Sequence, residues 1–259
     1  MRILVAVLAL GGLALLAGCS SAPTASGPGT VRIQMTDAPA DYDAVRLVVE
    51  EVAIHREDAD SAGWEVLNST PATYDLLTLR NGVFATIGMA QVPAGHYTQV
   101  RLKLGAGSEL VVDGVTYPLF VPSGMQSGYK LVGEFDVPPD GLVDLALDFD
   151  AARSIVQTGA GDYKLKPTVR VLPFASAGAI RGHLLPEGTA AEVFAIVGAD
   201  TIATTMPGSD GRFALTPLAA GLYDVAIHPA AGYRDTTLAG VAVVARQDTD
   251  LGDIQLTPQ

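Results

Sequence analysis

Cysteine is almost absent from this sequence, since Cys19 is the only one among 259 residues. A single cysteine forms no internal disulfide, and the chain beyond Cys19 has no thiol for a nucleophile or a thiolate metal site. Lysine is also unevenly distributed, because none follows Lys166. The absence of these residues excludes thiol chemistry from the body of the protein and lysine chemistry from its last third.

The motifs of common enzyme classes are missing as well. The sequence has no G-x-S-x-G, no H-E-x-x-H, and no glycine-rich phosphate-binding or dinucleotide-binding motif. Histidine is sparse, and its four residues are scattered along the sequence: His55, His96, His183 and His228. We predict that His55 ends a strand and that His96 lies in a turn. These absences predict a protein that is not an enzyme, with no catalytic residues.

Positive charge is scarce relative to negative charge. The chain carries 28 acidic and 16 basic residues, a net charge of -12, which becomes -13 if Arg2 is removed with a signal peptide. Nucleic acids and anionic lipid surfaces are therefore excluded as expected partners.

The N-terminus begins with one arginine and an uncharged apolar run from Ile3 to Gly18. This run is shorter than the roughly 20 residues that span a bilayer and is typical of a cleaved export signal. It ends in Leu-Ala-Gly-Cys, which resembles the lipobox of bacterial lipoproteins and implies cleavage before Cys19 and lipidation of Cys19. We predict a signal peptide over 1–18 and a lipidated flexible tether over 19–30. An ordinary secretory signal with an incidental cysteine is the alternative.

The predicted lipid chains make the membrane the first expected partner of the protein. Several acyl chains on Cys19 would hold it firmly, whereas one chain binds only marginally. Ser20 and Ser21 lack the acidic residue associated with inner-membrane retention. We therefore predict a location in the cell envelope, at the outer membrane if the host has two membranes.

From Val31 onward, short alternating apolar runs are separated by Gly, Pro, Asp and Asn, which predicts an all-β fold. The run AVRLVVEEVAIH changes phase at Glu50 and Glu51, which predicts a β-bulge or, alternatively, two strands. A change of composition near PFASAGAI predicts two β-sandwich domains, at residues 31–173 and 177–259.

Both predicted domains resemble known families. Asp-Gly and Gly-led turns between short strands make residues 178–257 similar to carboxypeptidase regulatory-like modules of the transthyretin-like type, which implies a non-catalytic sandwich. Isopeptide crosslinks occur in related modules and need a lysine, which this segment lacks. Residues 31–172 resemble the DUF4382 family through TDAP, VPAGHYTQVRL, VPSGMQSGYKL, LDFDAARSI and LKP. That resemblance implies secretion or lipid anchoring but no established activity.

Two segments share a small residue, a glycine, any residue and a tyrosine: VPAGHYTQVRL and LAAGLYDVAI. This similarity predicts the same turn in each domain, with the tyrosine capping one edge of a sandwich. A pair of binding sites is the alternative.

The segment LDFDAARS, residues 147–154, provides the main candidate site. Asp148 and Asp150 point away from the core in an alternating strand and, with Ser154, could bind Ca²⁺, with Thr36, Asp37 and backbone carbonyls as further ligands. The alternative is that Asp150 caps a helical turn AARSIVQTG that ends at Gly159. Apart from this possible Ca²⁺, no cofactor is expected.

The loop in VPSGMQSGYKL is a second candidate, for binding a polar ligand such as a glycan or a protein. Its donors and acceptors are Ser123, Gln126, Ser127 and Lys130, although a long hairpin loop needs the same composition to turn. Trp64, the only tryptophan, would stack on sugar rings if exposed, whereas a half-buried strand position would make it structural.

The sequence therefore predicts an exported, lipid-anchored surface protein with a non-catalytic binding, adhesion or envelope-structural role. The alternative is a cation-dependent glycan- or peptide-binding module centred on the Asp148 and Asp150 face.

Overall fold

Alternating segments form strands throughout the part of the chain described by the computed structural model, which is residues 27–57, 63–122, 128–230 and 232–259. Three sets of predictions lie outside these residues: the signal peptide and tether up to residue 26, Cys19, and the loop residues Ser123, Gln126 and Ser127. Within the described ranges, no helix has the length and apolar character needed to cross a membrane.

The strands before residue 174 are β1 Gly29–Ala38, β2 Ala44–Arg56, β3 Trp64–Asn68, β4 Ala72–Asp75, β5 Ala85–Val92, β6 Gly95–Leu104, β7 Glu109–Val112, β8 Val115–Phe120, β9 Tyr129–Val137, β10 Leu142–Asp150, β11 Ile155–Gln157, β12 Tyr163–Leu165 and β13 Val169–Pro173. Those after it are β14 Ala177–Leu185, β15 Ala191–Val197, β16 Asp200–Thr205, β17 Arg212–Ala219, β18 Gly221–Pro229, β19 Thr236–Val243 and β20 Asp248–Gln255. The helical segments are α1 Ala151–Ser154 and two 3-10 turns, Leu76–Thr78 and Phe174–Ser176.

The first thirteen strands form two sheets that pack face to face. One has the order β13-β10-β1-β5; the other has the order β11-β12-β8-β7-β2-β6-β9, with β3 and β4 also paired to β2. Alternate residues of each strand are buried between them, as Val31, Ile33 and Met35 are in β1. This burial of every second residue stabilises a β-sandwich.

The last seven strands form two further sheets, with the orders β17-β14-β20 and β16-β15-β18-β19. They enclose their own hydrophobic cluster, which includes Ile180, Val193 and Val225 and shares no buried residue with the first. The all-β sandwich architecture predicted from the alternating pattern is confirmed.

Two local predictions from the sequence have different outcomes. The β-bulge is confirmed, because the register of β2 against β6 shifts between Val49 and Glu51. The helical turn after Asp150 is shorter than predicted: α1 ends at Ser154, and the chain pairs again as β11 with β12. Ile155 and Val156 are β-branched and favour the strand.

Both tyrosines of the shared turn are buried, and each binds the chain four residues upstream. The Tyr97 hydroxyl donates to the Pro93 carbonyl at 2.8 Å, and the Tyr223 hydroxyl donates to the Ala219 carbonyl at the same distance. This is the hydrogen bond of a tyrosine corner, which ties a strand to the connection before it. The structural interpretation of the repeated motif is confirmed.

Replacing either tyrosine with phenylalanine is expected to lower the free energy of unfolding by about 1–2 kcal/mol, because the ring stays buried and the backbone carbonyl loses its donor. We propose that the two sandwiches unfold separately, since each has its own core. Tyr97→Phe should then lower one melting transition and Tyr223→Phe the other, measured by calorimetry. A single transition lowered by both substitutions would contradict this proposal.

The two sandwiches meet where Asn81 reaches β17. The Asn81 side-chain oxygen accepts a hydrogen bond from the Ala214 nitrogen at 2.6 Å, and its amide nitrogen donates to the Arg212 carbonyl at 3.3 Å. The Asn81 backbone is in the left-handed region, with φ of 58°, which asparagine tolerates better than most residues. Nearby, the rings of Phe84 and Phe174 pack edge to face with their centroids 5.2 Å apart.

Candidate functional site

The β-sheet register brings the TDAP and LDFD segments together. Strands β1 and β10 run parallel, so Thr36 lies beside Asp148 and Ala38 lies beside Asp150. On the other side of β10, Asp148 is opposite Arg170 of β13. The predicted carboxylates therefore lie at one end of the first sandwich, beside the second.

Asp148 is held in an ion pair. The Arg170 Nε donates to Asp148 Oδ2 at 3.0 Å, a second guanidinium nitrogen contacts the same oxygen, and the Asp148 side chain is 12% exposed. Burial raises the pKa of Asp148, the Arg170 charge opposes this effect, and the Asp150 charge adds to it. The sequence analysis assigned Asp148 to the outward face of β10, but could not identify this partner.

Asp150 caps α1. Its Oδ1 accepts a hydrogen bond from the Arg153 backbone nitrogen at 2.9 Å, and the Arg153 side chain approaches its Oδ2 at 3.5 Å. The capping interpretation of LDFDAARS is confirmed, and caps of this kind stabilise a helix by about 0.5–2 kcal/mol.

The two predicted hydroxyl ligands bind the backbone. Ser154 is fully buried, and its Oγ accepts a hydrogen bond from the Thr168 nitrogen at 2.8 Å. Thr36 is 1% exposed and donates to the Leu79 and Val83 carbonyls at 2.7 and 2.9 Å. Both side chains therefore hold connecting segments in place.

Asp37 is the acidic residue with the fewest partners at this end of the sandwich. It follows Val31, Ile33 and Met35 in the inward alternation of β1 and is 5% exposed. Its Oδ1 accepts from the Ala151 nitrogen at 3.0 Å, whereas its Oδ2 is buried with no hydrogen-bond partner in the described part of the chain. Burial, with smaller contributions from the Asp148 and Asp150 charges, raises the pKa of Asp37 well above its usual range.

Asp37, Asp148 and Asp150 line a cleft of about 280 Å³ between the two sandwiches, the Asp37 cleft. One wall includes Asp37, Asp148, Asp150 and Arg170, and the other is formed by residues of β15, β16 and β17. Thr205, at the end of β16, lines the second wall; it is 2% exposed, and its hydroxyl also has no hydrogen-bond partner within the described ranges. Each wall therefore contributes a buried polar group that has no hydrogen-bond partner among the described residues.

Lys130 belongs to a different surface, on β9 of the larger sheet. Its Nζ lies 5.5 Å from the centroid of the Trp64 ring, and the Arg101 guanidinium lies 4.3 Å from the same ring. Trp64 is half-buried in β3, so the strand interpretation is confirmed and one face of the ring already packs against a cation. Lys130 does not line the Asp37 cleft.

Two of the histidines, His96 and His183, form hydrogen bonds with acidic residues. His96 lies in β6 rather than in a turn, because the strand begins at Gly95, and its Nδ1 is 2.8 Å from Asp136 Oδ1. His183 Nδ1 is 2.8 Å from Asp253 Oδ1. These hydrogen bonds raise the pKa of both imidazoles. His55 lies within β2, which continues to Arg56.

No group of three or more His, Cys, Asp or Glu side chains among the described residues is arranged to hold a metal ion. The predicted Ca²⁺ site at Asp148, Asp150 and Ser154 therefore stays a prediction, and it would need these side chains to exchange their present partners. The sequence analysis missed Arg170, Thr205 and Asn81 as parts of the site. It did name Asp37 as a possible ligand, and the burial of Asp37 follows the inward alternation of β1.

Solved structures resemble the chain only weakly. The Bacillus anthracis TIE protein is 12% identical, with 90% of this chain and 34% of that one covered and a TM-score of 0.25. A leucine-rich repeat protein of Bacteroides thetaiotaomicron is 14% identical, with 90% of this chain and 27% of that one covered and a TM-score of 0.23. The minor pilin of Streptococcus agalactiae is 11% identical, with 88% of this chain and 96% of that one covered and a TM-score of 0.23. The chain thus spans about a third or less of the first two proteins. TM-scores of this size do not establish a shared fold.

A search of curated proteins found no significant match. Residues 28–167, which are more than half of the chain, match the family described as Domain of unknown function (DUF4382). The match includes the β1, β10 and α1 residues of the cleft, together with the segments on which the resemblance was first identified. The chain belongs to the DUF4382 family.

Proposed function

We propose that this chain is an exported, lipid-anchored protein of the cell envelope with a non-catalytic role in binding, adhesion or envelope structure. The observation that carries the non-catalytic part is that the described side chains selected for chemistry make structural contacts. Asp148 pairs with Arg170, Asp150 caps α1, and Ser154 binds the Thr168 nitrogen. Such contacts stabilise strand ends, and they do not activate these three side chains as covalent catalysis would require.

The anchoring part of the proposal is based on the sequence around Cys19. The second sandwich is proposed to be a non-catalytic carboxypeptidase regulatory-like module, and the outer membrane is the proposed location where the host has two membranes. Its tyrosine corner and its lack of lysine are consistent with a module held together by packing without a lysine crosslink.

Replacing Cys19 with alanine is expected to abolish lipidation almost completely, because no other cysteine exists. Metabolic labelling with a radioactive fatty acid measures lipidation, and membrane fractionation measures membrane association. Ser20→Ala is the matched control and should retain label and membrane association. Label that persists in the Cys19→Ala protein would contradict the lipoprotein proposal.

A second candidate function is cation-dependent binding of a glycan or peptide at the Asp148 and Asp150 face. The observation that favours it is the cleft, where three carboxylates lie close together and one oxygen of Asp37 has no partner in the described ranges. Pockets that combine apolar walls with a few convergent polar groups are typical of ligand sites.

If this site binds Ca²⁺, the ion should raise the free energy of unfolding by about 2.7 kcal/mol at a hundredfold excess over its dissociation constant. The melting temperature should then rise with Ca²⁺ and fall with a chelator, and Asp148→Asn should remove that response. A melting curve that is unchanged by Ca²⁺ and by chelator would contradict the cation-dependent form of this function.

A further inference from the structure

The Asp37 cleft combines an excess of acidic groups with buried polar atoms that have no hydrogen-bond partner in the part of the chain that the structure describes. Its charged lining residues are Asp37, Asp148, Asp150, Glu192, Arg153 and Arg170. With every carboxylate ionised, four negative charges face two positive ones, so the lining favours a cationic ligand. The acidic cluster is supported by an independent observation: Asp37 Oδ2 and Thr205 Oγ1 are both buried and without hydrogen-bond partners in the described chain.

These two groups come from opposite walls. Asp37 belongs to β1 of the first sandwich, and Thr205 belongs to β16 of the second. Buried polar atoms in folded proteins almost always have a partner. A ligand between the sandwiches that donates hydrogen bonds would provide partners for both groups at once.

The chemistry of the lining distinguishes an organic cation from a metal ion. Ca²⁺ requires six to eight oxygens at about 2.3–2.6 Å, whereas the described carboxylates show no such arrangement. A primary ammonium group donates only three hydrogen bonds, so it needs fewer acceptors than Ca²⁺ and does not require Asp148 to leave Arg170 or Asp150 to leave α1.

The rest of the lining indicates a hydroxylated ligand. Thr168, Thr201, Thr204 and Thr216 line the cleft with Asn81, and Phe194 and Ile202 add apolar surface. Hydroxyl and amide groups beside an aliphatic and aromatic wall match the polar edge and apolar face of a sugar ring. The cleft volume of about 280 Å³ lies just below the range of drug-sized ligands, which favours a ligand as small as one monosaccharide.

We propose that the cleft between the two sandwiches binds a small hydroxylated primary amine, such as an amino sugar, with the ammonium group between Asp37 and Thr205. This inference rests on the binding role given above as the second candidate function. It differs from that role in placing the cation on the ligand, so no metal ion is required.

In the experiment, detergent-solubilised full-length protein is titrated with 6-amino-6-deoxyglucose, the aminoglucose in which an amino group replaces the primary hydroxyl. Glucose is the neutral matched probe, and the N-acetylated aminoglucose has the same ring with a capped amine. At neutral pH and with a chelator present, only the free amine should raise the melting temperature and give binding heat by calorimetry.

Three variants assign the binding to the cleft. Asp37→Asn should weaken it about tenfold or more, and Thr205→Val about threefold to tenfold, because each removes an acceptor for the charged donor. Asp113→Asn removes one carboxylate from the exposed turn between β7 and β8 and should leave binding unchanged. Melting curves of the ligand-free variants confirm that each is folded.

Other results would overturn the proposal. Equal responses to the aminoglucose and to glucose would show that the ammonium group is not recognised, and unchanged affinity in Asp37→Asn and Thr205→Val would place binding elsewhere. Glycan binding that requires Ca²⁺ and is lost with chelator would support the cation-dependent function but not this inference. Absence of binding to the free amine would reject the inference without affecting lipid anchoring, which the Cys19 labelling tests separately.

Discussion

Replacing Arg170 with methionine is expected to lower the free energy of unfolding by about 3 kcal/mol, at the low end of the range for breaking a buried ion pair. Asp148 is 12% exposed and would lose its counter-charge, whereas Arg170 is 33% exposed and would lose little buried surface. Methionine retains much of the apolar stem of the arginine side chain, so the loss of unfolding free energy can be attributed to the missing charge. Denaturant unfolding monitored by circular dichroism measures it.

The neighbouring ion pair on the same strand provides the matched control. Arg32 pairs with Asp144 of β10, with exposures of 35% and 25%, so Arg32→Met should cost only about 1 kcal/mol. Adding Asp148→Asn to Arg170→Met should restore part of the stability, because it removes the unpaired carboxylate. Equal losses for the two arginine variants would mean that burial does not set the strength of the Asp148 pair.

The difference between these pairs shows where prediction from the sequence ends. Asp144 shares the outward face of β10 to which alternation assigned Asp148 and Asp150, and the Asp150 cap was predictable because its partner lies three residues away. The partners of the other two aspartates depend on strand register: Arg170 is 22 residues from Asp148, and Arg32 is 112 residues from Asp144. Neither register can be read from a local pattern.

The cleft was beyond the reach of sequence patterns for a similar reason. One of its walls belongs to each sandwich, and Asn81, whose backbone is left-handed, joins the two through hydrogen bonds to β17. An Asn-Gly pair predicts a turn, but it does not specify which strand the asparagine side chain will bind. The sequence therefore predicted the all-β class and the cap, but not the geometry between the two sandwiches.

Asp37 should make the stability of the protein depend on pH. Its pKa is raised in the folded state, chiefly by burial and further by the Asp148 and Asp150 charges, while the hydrogen bond from the Ala151 nitrogen opposes the rise. Below the unfolded-state value of about 4 both states carry the proton, and Asp37 imposes no penalty. As pH rises above that value, the unfolded state loses its proton first, so stability falls until the folded-state pKa is passed.

Asp37→Asn should remove this dependence. Asparagine retains an oxygen to accept the Ala151 hydrogen bond but carries no charge, so the variant should lose less stability than the wild type between pH 4 and neutrality. The difference should be about 1.4 kcal/mol for each unit by which the pKa is raised. Some dependence should remain, because burial also raises the pKa of Asp148.

The comparison of slopes separates titration from any general effect of the substitution. An asparagine amide without a partner would lower stability by a similar amount at every pH and would leave the slope unchanged, whereas loss of a titrating carboxylate changes the slope itself. Denaturant unfolding measured at several pH values for the wild type, Asp37→Asn and the exposed-site control Asp113→Asn provides the three slopes. Parallel curves for the wild type and Asp37→Asn would mean that Asp37 titrates normally and that its burial imposes no electrostatic penalty.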